Sequence, residues 1–333
     1  MAPYLNVSGK DTGRMPTPPS SLKSFLTGLI DYAGLFPPAE LPLIEAIEHY
    51  RRYRLDADAW MLSRFIISVS QLAALTEHTD VSGNNYFDTG TAYSLLGQDG
   101  QSGSGFLKGI EQDIHTVRQF RRLHGKQAVL DIFEVRLPAS DQATHDVIGQ
   151  ASDLLLAGGL RPFFEVPKGA DWQPSANVVV TAIGAYNRTQ ATAAIGFKLR
   201  CGGVMATAFP SPERVAAAIL MCRDATVPLK ATAGLHHPIR HYNDSVQTRV
   251  HGFVNFFGAG ILAHVHGLGL QDIQTILEDE DAGHFTFSDK MFTWQHLSAT
   301  VEDIVRIRAQ ALISYGSCSF DKPRDDLSVL GWL

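Results

Sequence analysis

The chain has 333 residues, 45% of them hydrophobic and 19% charged, and a formal charge of -6 at neutral pH. That balance gives no sign of a partner held by its phosphate backbone: the basic groups Arg51, Arg52, Arg54 and Arg121, Arg122 fall on helix-like stretches and read as solvated faces, so no nucleic-acid partner is expected. Three scattered cysteines, Cys201, Cys222 and Cys318, are too few for a disulfide framework or a structural zinc site, and a cytoplasmic, reducing setting is the simplest expectation.

In chain order, Met1 to Ser21 is polar and rich in Pro, Gly, Ser and Thr, with no apolar core of signal-peptide length; residues 1–22 read as a flexible tail and 23–333 as one domain. Short apolar runs then alternate with amphipathic stretches, the pattern of repeated βα units. A first strand over Gly28–Tyr32 precedes a helix over Leu43–Arg54, and a second strand over Arg64–Val69 precedes a helix over Gln71–His78. The Gly- and Asn-rich segment Ser82–Ser104 carries the weakest strand, Ala92–Leu96, before a helix over Gly109–His124. Strand Val129–Val135, helix Ser140–Ala157, strand Arg161–Val166 and a short helix near Asn177–Ala185 follow. Strand Ala194–Arg200 leads to a helix over Pro212–Arg223, which opens with Ser211 as N-cap and proline at its first position. The seventh strand is Pro228–Thr232 and the eighth Leu312–Ser317.

Eight strands with helices between them predict a (β/α)8 TIM barrel. The link from His241 to Gln310 is too long for one helix and is expected to hold two or three, including Ser245–Val265 and Ser298–Gln310. Such a helical extension between strands 7 and 8 would cover the active site or form the contact of a homodimer. Its most apolar part, Gly252–Val265, is too short to span a bilayer and contains Asn255, so no membrane partner is expected.

The chemistry centres on two lysines. Strand six reads Gly196-Phe197-Lys198-Leu199-Arg200-Cys201-Gly202-Gly203, and strand seven reads Pro228-Leu229-Lys230-Ala231-Thr232-Ala233-Gly234. Side chains alternate across a strand, so Lys198 and Arg200 share one face; neighbouring strands about 4.8 Å apart would bring the two ammonium groups close. A lysine beside a second cation in a dry pocket keeps part of its population as free amine, which attacks carbonyls to form a Schiff base. The bland reading is two lysines snorkelling outward from apolar strands. Two on consecutive strands, each followed by a glycine-containing turn, favour the active-site reading.

At several points in the same order, the sequence resembles the deoxyribose-phosphate aldolase branch of the class I aldolase superfamily. Leu29-Ile30-Asp31-Tyr32-Ala33-Gly34-Leu35 is similar to that family's first strand, and Phe163-Phe164-Glu165-Val166 to its fifth. Lys198 followed by Gly202 resembles the Schiff-base lysine and its turn, and Lys230 followed by Ala233-Gly234 the second lysine that tunes it. Asp131 stands where the family places a proton-relaying aspartate, and Tyr315-Gly316-Ser317-Cys318-Ser319 resembles its strand-eight phosphate loop. The segments between these matches show no likeness. Gly203 stands where a phosphate-contacting lysine is usual, and Gly234-Leu235-His236-His237 replaces a Gly-Gly-Val-Arg turn. The resemblance implies kinship within the superfamily, a cofactor-free lyase, and a small aldehyde or keto substrate.

On this reading Lys198 is the nucleophile, Lys230 keeps it deprotonated, and Asp131 shuttles a proton. Glu134, nearer the catalytic end of the strand, is the second choice for that shuttle. Asp31 is a first-strand anchor that orients one lysine by charge pairing, or simply a buried structural carboxylate. Arg200 would clamp a carboxylate or phosphate, or pair with Glu165. Gly202, Gly203, Gly234, Gly316, Ser317 and Ser319 supply turns, amides and hydroxyls toward an anion, or plain turns. His236, His237, His241 and His251 crowd the end of strand seven. One of the adjacent pair would be a substrate-facing acid or base, whereas His264 and His266 lie on an apolar helix and read as packing residues. Two rival readings stand: a divalent-metal site built from His236, His237 and Glu165, though the spacing is not that of a standard metal motif, and a barrel that binds a metabolite without catalysis.

Overall fold

In the computed structural model, which describes residues 17–77, 90–100, 102–125, 128–139, 143–169, 171–190 and 195–333, each of the eight apolar runs is a strand. Helix α1 (Ser20–Leu26) enters strand β1 (Ile30–Tyr32); α2 (Leu43–Tyr53) leads to β2 (Leu62–Ser68), and α3 (Leu72–Glu77) to β3 (Thr91–Leu96). The alternation continues through α4 (Gly103–His124), β4 (Ala128–Arg136), α5 (His145–Ala157), β5 (Arg161–Glu165), α6 (Trp172–Thr189), β6 (Gly196–Arg200), α7 (Pro212–Asp224) and β7 (Leu229–Thr232). The extension holds a hairpin of β8 (His241–Asn243) and β9 (Thr248–Val250), helices α8 (Phe253–His266) and α9 (Leu270–Glu278), a three-stranded antiparallel sheet of β10 (Phe285–Phe287), β11 (Met291–Trp294) and β12 (Leu297–Thr300), and helix α10 (Val301–Gln310). Strand β13 (Leu312–Ser317) then closes the barrel and α11 (Asp321–Val329) follows it.

The closed sheet runs β1-β2-β3-β4-β5-β6-β7-β13 and is parallel throughout, so the fold is a (β/α)8 barrel. Parallel strands are covered on both faces, which is why they read as nearly continuous apolar runs. Phe133, Phe163, Phe164 and Phe197 are wholly buried among them. At the N-terminal end of the barrel Arg308, from α10, is buried and donates to the carbonyls of Phe25, Thr27, Leu312 and Ile313. It ties α1 to the closing strand, and burial, only partly offset by Asp31, pushes its pKa down to about 9.

Several boundaries differ from the sequence reading. Residues 20–22 of the expected tail belong to α1, where Leu22 is fully buried, while residues 1–16 lie outside the described residues. Residues 82–89 and 101 of the expected loop, His78, Ser140 and Ala194 also lie outside them. Helix α4 starts earlier because Ser102 caps it by accepting from the Gly105 amide at 3.1 Å, and α6 is much longer than Asn177–Ala185.

The expected helix Ser245–Val265 begins only at Phe253. Before it, Asn243 accepts from the amide and hydroxyl of Ser245 at 2.9 and 2.7 Å, and that turn folds the chain back as a hairpin. Likewise Leu297–Thr300 is a strand, and Thr300 forms a capping box with Asp303 that starts α10. The extension therefore has three helices, plus five short strands that local pattern did not reveal. Helix α8 is apolar nearly all round because it is wedged between the barrel and the small sheet, where Gly258 lets Phe292 approach and Gly260 lets Leu312 approach.

Candidate active site

Lys198 and Lys230 are register partners on β6 and β7, and Glu165 is the partner of Lys198 on β5. All three side chains are buried, Lys230 at 1% exposure and Lys198 at 5%. Charges this deep are tolerated only when paired, and here the pairing forms a continuous chain. Asp31 Oδ2 accepts from Lys230 Nζ at 2.7 Å and from Ser314 Oγ at 2.6 Å. Glu134 Oε1 takes a second contact from Lys230 at 2.8 Å and a hydrogen bond from Ser94 Oγ at 2.6 Å. Glu134 Oε2 meets Lys198 at 2.8 Å, and Glu165 Oε2 meets the same ammonium at 3.2 Å. Arg200 Nε donates to Glu165 Oε1 at 2.8 Å, with Arg136 3.8 Å from that oxygen.

Burial opposes the charge on Lys230, but Asp31 and Glu134 outweigh it and raise its pKa, so it stays a cation. Burial likewise disfavours the Glu134 carboxylate, yet the two lysines hold it well below the usual range. Lys198 and Arg200 do the same for Glu165. Lys230, Glu134 and Glu165 are thus each held in their charged form by their neighbours.

Above it lies a cavity of about 440 Å³ at the C-terminal ends of the strands. Lys198 reaches its wall and Lys230 does not. The wall also carries Lys168, Arg200, His236 and Cys318, giving three cations and no carboxylate among the described lining residues. Burial, reinforced by Arg200, lowers the Lys168 pKa. No residue of 241–310 lines this cavity, so the extension does not cover it.

Gly202 and Gly234 are required by close approach of the β6 and β7 turns. A Cβ on Gly202 would stand 2.6 Å from the Gly234 Cα, and Gly234 has φ +72. Gly203 packs against Ala208, where a Cβ would meet the Ala208 Cβ at 2.8 Å.

Other residues singled out in the sequence stand elsewhere. Asp131 does not join the lysines: Arg64 Nε and Nη2 donate to its two oxygens at 2.9 and 2.7 Å. It lies three residues nearer the N-terminal end of β4 than Glu134, roughly 10 Å at strand rise. The pairing of β3 with β4 skips Asp131, since Tyr93 pairs with Leu130 and Ser94 with Ile132. This bulge breaks the alternation that would have put Asp131 and Glu134 on opposite faces, and it is Glu134 that the fold delivers to both lysines.

His236 and His237 diverge. His237 Nδ1 pairs with Asp326 Oδ2 at 2.5 Å, its ring lies edge-on to His241 at 4.2 Å, and it faces a separate shallow cavity. Among the described residues no three His, Cys, Asp or Glu side chains converge to hold a metal ion, so the set His236, His237 and Glu165 is not assembled. His251 is buried between Pro210 and Arg240. His264 bonds the Gly260 carbonyl. Gly316 and Cys318 line the main cavity, but the hydroxyls of the strand-eight loop are used locally: Ser317 Oγ donates to the Ser319 carbonyl at 2.7 Å, and Ser319 Oγ accepts from the Lys322 amide at 3.1 Å. Sequence reasoning missed Ser94, Ser314 and Lys168. The serines sit on inward-facing strand positions, and Lys168 on the turn just after β5, a place where barrel ligands are commonly bound.

Fold and site together define a (β/α)8-barrel protein with a buried lysine pair beneath a cationic cavity. No protein-family model matches the chain, and no curated protein matches it. Among solved structures it is similar to one from Toxoplasma gondii ME49 described as a putative deoxyribose-phosphate aldolase, at 9% identity over 93% of each chain and a TM-score of 0.36. At that score the likeness carries no argument about chemistry.

Proposed function

We propose that this protein is a Schiff-base lyase of the class I aldolase superfamily, acting on a small anionic aldehyde or keto compound with Lys198 as nucleophile. The observation that carries the reading is the division of labour within the lysine pair. Lys198 reaches the cavity wall, while Lys230 lies behind it, held as a cation by Asp31 and Glu134. Lys230 claims one oxygen of Glu134, so that carboxylate is divided between two ammonium groups instead of serving Lys198 alone.

The amine of Lys198 adds to the carbonyl carbon, and the carbinolamine loses water to give an iminium. That cation draws electrons from a bond to the neighbouring carbon, which permits carbon–carbon cleavage, its reverse, or dehydration. Lys168 and Arg200, on a wall with no carboxylate among its described residues, suit a carboxylate or phosphate on the substrate. The order of the sequence matches around both lysines supports superfamily kinship.

Borohydride reduction in the presence of pyruvate, glyoxylate and acetaldehyde, read by peptide mass spectrometry, tests the reading. A reduced adduct on Lys198, absent from Lys198→Ala and formed more readily with the anionic probes, is the expected result. Binding of these compounds without any adduct would instead make the barrel a non-catalytic metabolite binder.

A further inference from the structure

His236 shares the cavity wall with Lys198, and its hydrogen bonds fix its tautomer. Its Nδ1 lies 3.1 Å from Ser317 Oγ. The Ser317 hydroxyl proton is engaged elsewhere, because Oγ sits 2.7 Å from the Ser319 carbonyl, which can only accept. Both contacts are satisfied together only if Ser317 Oγ accepts from an Nδ1–H. The lone pair of His236 is therefore on Nε2, and the thiol of Cys318, also on the wall, lies 4.0 Å from each ring nitrogen.

The surroundings keep this ring neutral. Burial, with the neighbouring His237, lowers its pKa to about 4. Ser317 and Cys318 face it from the end of β13, and Lys168, Lys198 and Arg200 line the same cavity. No carboxylate lines the wall among the described residues, the Cys318 thiol is pushed up by burial, and Glu134 and Glu165 are tied to lysine and arginine. Among the described lining residues, the imidazole is thus a neutral base that is not itself the imine-forming amine.

We propose that His236 Nε2 is the base that removes a proton from the carbon next to the Lys198 imine. The assignment rests on the imine reading above. In the step, the C–H bond breaks, its electron pair forms the carbon–carbon double bond of the enamine, and the iminium π pair moves onto nitrogen. The proton resides on Nε2 until it is returned, from the same position, to the enamine carbon. Ser317 is a positioning residue that holds Nδ1 protonated. His237 has no part in this step, since it lines a separate cavity and not the wall shared by Lys198 and His236.

The test is deuterium exchange into the methyl groups of pyruvate and acetaldehyde in D2O, followed by proton NMR, beside borohydride trapping on the same samples. Wild type is expected to exchange the methyl protons and to trap on Lys198. His236→Gln is expected to keep the trapped adduct and lose exchange by about a hundred-fold, and added imidazole is expected to restore part of the exchange to His236→Ala. His237→Gln is expected to exchange like wild type. Unchanged exchange in His236→Gln would overturn the assignment, as would loss of adduct and exchange together, which would place His236 in imine formation or site integrity. Failure of wild type to trap any probe sinks the imine reading itself, a result distinct from both.

Discussion

Lys198 and Lys230 stand opposite each other in the register of adjacent parallel strands, and their ammonium groups take different oxygens of the same carboxylate. Two like charges on neighbouring buried positions would repel strongly in a low-dielectric interior. Glu134 turns that repulsion into a bridged triad, and Asp31 and Glu165 close it at either end. The arrangement gives the two lysines different futures: one is locked, the other faces the cavity.

Locking has an energetic consequence. Lys230→Met would leave Asp31 and Glu134 buried without the cation they share, and removing one partner from such a set costs about 3–5 kcal/mol. Urea unfolding should show that loss. The double variant Lys230→Met with Asp31→Asn should recover part of it, because one stranded charge is then gone. A Lys230→Met protein as stable as wild type would mean that the buried ion pairs are not formed in solution.

The two close glycines offer a second test, on the turns that frame the cavity. Gly234→Ala forces a left-handed residue with a Cβ 2.7 Å from the Cys201 carbonyl oxygen, against backbone that cannot swing aside. Strain at such a φ and overpacking together cost about 2–4 kcal/mol. Thermal unfolding of Gly234→Ala and Gly202→Ala should both fall well below that of Gly109→Ala, where a Cβ meets nothing within 4 Å. Equal melting temperatures for all three would contradict the tight apposition of the β6 and β7 turns.

The eight barrel strands were legible because parallel strands buried on both faces leave continuous apolar runs, and the lysines stood out as charges inside two of those runs. The choice of carboxylate was not legible. Strand periodicity alone sets Asp131 and Glu134 on opposite faces, and the bulge at Asp131, a feature of pairing with β3, breaks that alternation. Ser94 and Ser314 were equally silent, because a hydroxyl on an inward strand position looks the same in sequence whether it packs or bonds a carboxylate. The hairpin at His241–Val250 was missed for a different reason: its apolar spacing runs on into α8, and the Asn243 turn that interrupts it is local side-chain chemistry.

Acid stability follows from two buried histidines. His251 donates from Nε2 to the Pro210 carbonyl at 2.8 Å and faces Arg240 with Nδ1 at 3.5 Å; burial lowers its pKa to about 4, as it does for His236. A histidine whose folded pKa lies below its unfolded value near 6.5 binds fewer protons folded than unfolded across that window. Stability should therefore fall as pH drops from about 6.5 toward 4, by on the order of a few kcal/mol for the two together. Chemical denaturation at stepped pH should show a shallower slope in His251→Gln than in wild type. An identical slope would place the acid sensitivity elsewhere.

Asp131 and Glu134 make the sharpest pair of variants, because the family resemblance favours the first and the geometry the second. Asp131 is paired with Arg64 and its side chain is 43% exposed, so Asp131→Asn removes a partly solvated salt bridge worth at most about 1 kcal/mol. It should leave borohydride adduct on Lys198 within about two-fold of wild type, because Asp131 reaches the lysines only through Arg64, whose backbone amide also donates to Asp31. Glu134→Gln cannot accept as a charge from either lysine, and two ammonium groups then face one neutral amide in a buried site. Adduct yield and its pH dependence should both change in that variant, with unfolding free energy reduced by about 3 kcal/mol or more. The reverse outcome, adduct lost in Asp131→Asn and kept in Glu134→Gln, would show that a proton travels from the N-terminal end of β4 to Lys198, and that the bridging carboxylate is structural.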